Sequence, residues 1–89
     1  MMTDAIARKL LMAVGEHGDV WASQPYQLDA KVDATIFHEY LKANDIEHGC
    51  KVTNRGVIID LPGGSVLFSG WGDVSAICGR TEFDAGRYE

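Results

Sequence analysis

Residues 51–78 read KVTNRGVIIDLPGGSVLFSGWGDVSAIC, a run of short β-type segments separated by glycine. The pattern predicts strands at 51–54, 57–61, 66–69 and 74–78. The glycine-containing turns between them fall at 55–56, 62–64 and 70–72. Segments this short with turns this close together are typical of an antiparallel meander, so this part of the chain carries most of the information about the fold.

Alternation within the strands indicates that one face of the sheet is covered. Val57, Ile59 and Leu61 share one face, while Ile58 and Asp60 share the other. An antiparallel sheet with helices on one side accounts for such alternation.

The first helix is predicted over 4–14. Ile6, Leu10 and Val14 repeat every four residues and form one apolar stripe. Gly15 and Gly18 follow the last of them and are expected to end the helix.

The second helix is predicted to begin at Asp33 as its N-cap, with Val32 packing on Phe37 as a hydrophobic staple. Asn44 is expected to end it in the left-handed conformation, with Ile46 folding back on the last turn. Between the helices, 20–22 could form a short edge strand, and Pro25 stops regular structure there.

These elements predict an α+β fold in which two amphipathic helices pack on one face of a three- to four-stranded antiparallel sheet. The predicted core combines the two helical stripes with the alternating strand residues: Ile6, Leu10, Val14, Ile36, Phe37, Tyr40, Leu41, Val57, Ile59, Leu61, Val66 and Phe68.

The 89 residues are expected to form one domain, 1–89, because a chain this short buries a single core. Residues 79–89 are polar and are predicted to be a partly ordered tail that Phe83 and Tyr88 could pin down. No stretch reaches the roughly 20 apolar residues of a membrane span. Charged residues also interrupt any secretory pattern at the N-terminus. We therefore expect a cytoplasmic protein.

The chain carries 13 acidic and 8 basic residues, a net charge of −5. Non-specific nucleic-acid binding needs a basic surface, so direct contact with nucleic acid is not expected. The charge suits either docking on a basic protein or simple solubility.

Residue types that carry chemistry are present without the spacing that chemistry needs. His38, His48, Cys50 and Cys78 are the possible zinc ligands or parts of a Cys-His dyad, but no paired-ligand motif such as Cys-x-x-Cys occurs. The sequence predicts no catalysis, no metal and no cofactor. The two cysteines are expected to be small buried hydrophobic residues rather than a disulfide.

Two aromatic loops are the best candidates for a binding surface. Trp71 lies between two glycines, and Trp21 lies near Tyr26. Trp and Tyr side chains often supply the binding energy of protein interfaces. We predict a partner-binding surface formed by these three aromatic residues together with Asp73 and Asp60.

A small acidic domain with two amphipathic helices, a short antiparallel sheet and no catalytic motif resembles the phage-encoded inhibitors of bacterial defence, in particular anti-CRISPR proteins. The resemblance covers the whole chain in size, charge and construction. It implies a non-catalytic phage inhibitor that binds a CRISPR effector in the host cytoplasm. Blocking could proceed by DNA mimicry or by occlusion. The alternatives are a small accessory or antitoxin-like module that binds one host partner or itself, and a minimal Cys/His enzyme.

Overall fold

The computed structural model describes residues 2–24, 27–53, 56–70 and 79–84. Two helices and five strands follow one another as α1 (Asp4–His17), β1 (Val20–Gln24), α2 (Gln27–Ala43), β2 (Gly49–Thr53), β3 (Gly56–Leu61), β4 (Gly64–Gly70) and β5 (Thr81–Asp84). The α+β class predicted from the sequence is confirmed.

The sheet is mixed and has five strands, in the order β2-β3-β4-β1-β5. The predicted meander is present as β2, β3 and β4, which pair antiparallel. β1 pairs parallel with both β4 and β5, so the prediction of a purely antiparallel sheet with three to four strands is wrong. The predicted strand at 74–78 lies outside the described residues.

β1 is an interior strand, not the edge strand that the sequence suggested. Val20 and Ala22 are fully buried on it, and it is hydrogen-bonded on both sides. The error has a physical reason. Antiparallel neighbours are joined by tight turns that the sequence reveals, whereas a parallel pair needs a long crossover and leaves no local signal. Here the chain passes through α2, β2 and β3 before β4 pairs with β1.

Helix α1 extends one turn beyond its predicted end. The Thr3 side chain caps its start by accepting a hydrogen bond from the Ile6 amide at 3.2 Å. Gly15 lies within the helix, which ends at His17. Gly18 then takes φ +82° and donates its N–H to the Val14 carbonyl. A positive φ is accessible to glycine without steric cost, so Gly18 terminates the helix.

Helix α2 starts at Gln27, six residues before the predicted N-cap. Asp33 lies inside the helix and is 3% exposed, and its carboxylate accepts the Met2 amide at 3.2 Å. Val32 is 45% exposed, so the predicted staple does not form. Ala30 and Ala34 are buried and extend the apolar stripe of the helix towards its N-terminus. Because alanine side chains are small, Ala30 and Ala34 were weak evidence for an earlier helix start, and the capping pattern at Asp33 outweighed them.

The end of α2 reverses the chain. The Ile46 amide donates to the Leu41 carbonyl at 2.9 Å, and the Asp45 amide donates to the Lys42 carbonyl at 3.2 Å. Asp45 takes φ +55°, so it is Asp45, not the predicted Asn44, that adopts the left-handed conformation. This pair of bonds is a Schellman motif, and it folds Ile46 back on the helix as predicted.

One core cluster combines side chains from both helices and from alternate positions of β1, β3, β4 and β5. We call the sheet face that contributes to it the helix-side face, and the opposite face the far face. Within the core cluster, the rings of Phe37 and Phe68 pack together with their centroids 5.6 Å apart. The predicted core residues are buried except for Ile36 and Tyr40, which are half-buried against the cluster.

The stretch expected to be a tail contains strand β5. Its residues 81–84 pair with β1, and Phe83 is 6% exposed in the core. Phe83 therefore pins this segment as predicted, whereas Tyr88 lies outside the described residues. Neither helix of the described part is long and apolar enough to cross a membrane.

Candidate functional site

Two of the five predicted partner-binding residues belong to the described structure. Trp71, Tyr26 and Asp73 lie outside the described residues, so their roles stay predictions. Trp21 and Asp60 are both on the far face of the sheet. The far face is therefore where the structure brings candidate binding residues together.

Trp21 lies in a row of residues that crosses the far face. Ile58, Leu67, Trp21 and Glu82 occupy matching positions on β3, β4, β1 and β5. Trp21 and Ile58 are half-buried, Leu67 is 1% exposed and Glu82 is exposed. The sequence placed Trp21 in an aromatic loop. The structure places it in the middle of the sheet, because β1 is an interior strand.

The indole N–H of Trp21 is enclosed, and the described residues offer it no hydrogen-bond partner. A buried donor without an acceptor costs about 1–3 kcal/mol, so it weakens rather than supports the free protein. The nitrogen cannot reach a binding partner as it stands. Any contribution of Trp21 to binding must therefore come from the accessible part of its ring.

A polar row crosses the far face two residues along the strands from the row of Trp21. Asp60 pairs in register with Ser65, and the Ser65 hydroxyl donates to the Asp19 carboxylate at 3.0 Å. The Arg80 guanidinium donates to the Ser65 hydroxyl at 2.9 Å and to the Val20 carbonyl at 3.1 Å. Arg80 thereby ties the start of β5 to β1 and β4. Sequence reasoning missed this row, since its members come from distant parts of the chain.

Exposed carboxylates border the far face. Asp19, Asp60 and Glu82 are all exposed, while the Arg80 side chain is engaged in the hydrogen bonds above. Asp60 also lines a groove of about 470 Å³ at the start of β2. The other residues that line this groove are Glu47, His48, Gly49, Leu61 and Pro62.

His38 and His48, which the sequence offered as possible ligands, do meet. His48 Nε2 lies 2.8 Å from His38 Nδ1, and His48 Nδ1 lies 2.7 Å from the Ile46 carbonyl. The carbonyl can only accept, so His48 Nδ1 carries a proton. In the neutral pair His38 Nδ1–H then donates to His48 Nε2. The chain reversal at Asp45 brings His48 back towards His38. The sequence indicated this reversal only through the predicted fold-back of Ile46.

Neither catalysis nor metal binding gains support from this pair. Both ring nitrogens of His48 are engaged, which leaves none to deprotonate Cys50. Across the described ranges no three His, Cys, Asp or Glu side chains converge as metal ligands. Cys50 is an exposed free thiol on β2, so the prediction that it is buried is wrong. Cys78 lies outside the described residues.

Comparison with known proteins gives no relative from which a role could be transferred. No protein-family model matches the chain, and no match was found among the curated proteins or the solved structures.

Proposed function

We propose that this protein is a non-catalytic inhibitor that binds a basic, nucleic-acid-handling protein complex, with a CRISPR effector as the specific target. The observation that carries the proposal is the far face of the sheet. There Asp19, Asp60 and Glu82 are exposed around a half-buried Trp21. Trp71, Tyr26 and Asp73 complete the predicted binding residues.

Charge supports a basic target. A net charge of −5 attracts a basic surface and speeds its encounter with the inhibitor. Carboxylates at the border and an aromatic ring in the middle match the general plan of an interface, which has a polar rim around an apolar centre. Raising the salt concentration from about 50 to 500 mM shortens the screening length from about 14 to about 4 Å, so it should slow association markedly.

Occlusion by ordinary protein contacts is the mode of inhibition that the charges favour over DNA mimicry. A mimic needs an uninterrupted array of acids at phosphate-like spacing. On the far face, the basic residues Lys51 and Arg80 lie in the same two rows as Glu82 and Asp60. Acids interleaved with bases suit a specific protein surface, not a phosphate backbone.

The test is expression in bacteria with an active CRISPR system, challenged by a phage that the system targets. We expect plaques to form on cells that express the protein and not on cells that carry an empty vector. The assay is run against the major CRISPR types in parallel. If phage growth stays fully suppressed in all of them, the proposal is wrong and the accessory-module alternative takes its place.

A second experiment separates inhibition by binding from inhibition by catalysis. A Cys50→Ser variant should inhibit as well as the natural protein, because the proposal gives the thiol no chemical role. Inhibition should also be stoichiometric, so that it ends when the effector exceeds the inhibitor. Loss of activity in a folded Cys50→Ser variant, or turnover at substoichiometric amounts, would support the enzyme instead.

A further inference from the structure

Strand β2 is an edge strand of the described sheet. It lies at one end of the sheet and pairs with β3 alone among the described strands. Four of its five residues are exposed, and the fifth, Thr53, is half-buried. Val52 is 74% exposed, a large apolar side chain in water. An edge like this presents unpaired N–H and C=O groups to any extended segment that approaches it.

The charges beside this edge are complementary to one another. Lys51 is exposed at the middle of β2. Gly49, two residues earlier on the same face, has no side chain and pairs in register with Asp60 on β3. The groove at Gly49 thus opens onto the carboxylates of Asp60 and Glu47. A lysine that entered from outside, opposite Gly49, would meet them.

A second copy of the chain supplies that lysine in one particular register. When two β2 strands pair antiparallel about a two-fold axis at Cys50, Lys51 of each copy lies opposite Gly49 of the other. Lys51 is then two strand spacings, about 9.6 Å, from Asp60 of the other copy, a gap that their two side chains can bridge over the bare glycine. Val52 lies opposite residue 48 of the other copy and loses its exposure to water.

Neighbouring registers are less favourable. A two-fold axis at Lys51 would place the two lysines opposite each other, which is unfavourable for like charges. An axis at Val52 would place Lys51 opposite Thr53, away from any carboxylate of β3. An axis at Gly49 would place Lys51 opposite Glu47, but Thr53 would then lie opposite Asp45, whose φ of +55° is not that of a strand. Lysine on an edge strand usually discourages pairing, and the axis at Cys50 places it near a carboxylate while keeping Gly49, Cys50 and Lys51 within the paired strands.

We propose that the β2 edge is an interface for a second copy of this chain, paired antiparallel about Cys50 and held in register by two Lys51–Asp60 contacts between the copies. This inference does not depend on the proposed function, because it concerns the purified protein alone.

The test is sedimentation equilibrium of the natural protein and of two charge-reversal variants. We expect the natural protein to sediment at twice the 9.7 kDa mass of one chain. Lys51→Glu and Asp60→Lys each reverse two contacts per dimer, so each should weaken self-association about tenfold or more. The control is Lys31→Glu, which reverses an exposed lysine on α2 and changes the net charge by the same amount as Lys51→Glu; it should dimerise like the natural protein.

Mixing the two variants distinguishes pairing from damage to the fold. In a mixed dimer, the glutamate introduced by Lys51→Glu in one copy faces the lysine introduced by Asp60→Lys in the other, and the remaining pair is the natural one. An equimolar mixture should therefore recover the dimer that each variant alone forms only weakly. A monomeric natural protein at every concentration, variants that dimerise normally, or a mixture that stays monomeric would each overturn the proposal.

Cross-linking tests the register itself. In a Cys78→Ser background, Cys50 is the sole thiol of the chain. Directly opposite residues of an antiparallel pair lie about 4.5–5.5 Å apart at Cα, within the range of a disulfide. Oxidised glutathione should exchange with the two thiols to give a Cys50–Cys50 dimer and two molecules of reduced glutathione. A protein that sediments as a dimer but gives no such cross-link would contradict this register.

Discussion

The helix-side face and the far face of the sheet differ in burial and in charge. On the helix-side face, Val20, Ile59, Val66 and Phe68 are fully buried against the helices. On the far face, the side chains range from buried Leu67 to exposed Asp60. The helix-side face supplies the strand residues of the apolar core. The other retains charge and partial exposure, which recognition requires.

The largest losses of stability are expected where the end of α1 lies directly against the start of β4. Gly64, at the start of β4, has φ +159°, and a Cβ there would clash with the backbone carbonyl of Gly18 at the end of α1. Neither backbone can move away without separating helix from sheet. Gly64→Ala should therefore lower the free energy of unfolding by roughly 3 kcal/mol or more, measured by urea denaturation.

The adjacent glycine is the control for this prediction. A Cβ at Gly63 would find its nearest neighbours at 3.9 Å, an ordinary contact distance. Gly63→Ala should cost less than about 1 kcal/mol. Equal losses for the two variants would contradict the close approach of α1 to β4.

A contrast of similar size is expected between apolar side chains on the two faces. Phe37→Ala removes a fully buried ring from the helix-side core and should cost roughly 3–5 kcal/mol. Ile58→Ala shortens a half-buried side chain on the far face and should cost about 1 kcal/mol. Denaturation midpoints of the two variants check this, and similar losses would remove the distinction between the faces.

Arg80 contributes polar contacts to stability at the far face. Its guanidinium bonds the Val20 carbonyl and the Ser65 hydroxyl, so Arg80→Ala leaves these part-buried acceptors without their donor. We expect a loss of about 1–2 kcal/mol. Arg8→Ala on the exposed surface of α1 removes the same charge and should change stability by less than about 0.5 kcal/mol. A matched loss in both would attribute the effect to net charge.

Trp21 should be unusually tolerant of change for an aromatic residue. Trp21→Phe loses apolar volume, but it also removes a buried N–H for which no acceptor lies among the described residues. The two effects oppose each other, so the net change in unfolding free energy should stay within about 1 kcal/mol. A loss of several kcal/mol would contradict this balance.

The sequence was a good guide to the helix-side face and a poor one to the far face. Helical stripes and period-two alternation depend on burial, and burial follows from local pattern, so Leu10, Phe37 and Ile59 were placed correctly. The central position of β1 depends on parallel pairing between distant segments, which leaves no local pattern. Misplacing β1 misplaced Trp21 with it.

The polar contacts were beyond the sequence for the same reason. Arg80 and Ser65 meet because β5 and β4 flank β1, and nothing near either residue encodes that neighbourhood. His38 and His48 were closer to prediction, since ten residues and one helix end separate them. Cys50 was expected to be buried because it lies on a strand, but its strand is at the edge of the described sheet and the side chain is exposed.

The most direct test of the account asks whether recognition depends on the far face or on net charge alone. Glu82→Lys changes an exposed carboxylate in the row of Trp21, and Glu39→Lys changes an exposed carboxylate on α2, with the same change in net charge. Association with the purified effector that the plaque assay identifies is measured for both at low salt. The account predicts about fivefold slower association for Glu82→Lys and nearly unchanged association for Glu39→Lys. Equal slowing by both variants would contradict it.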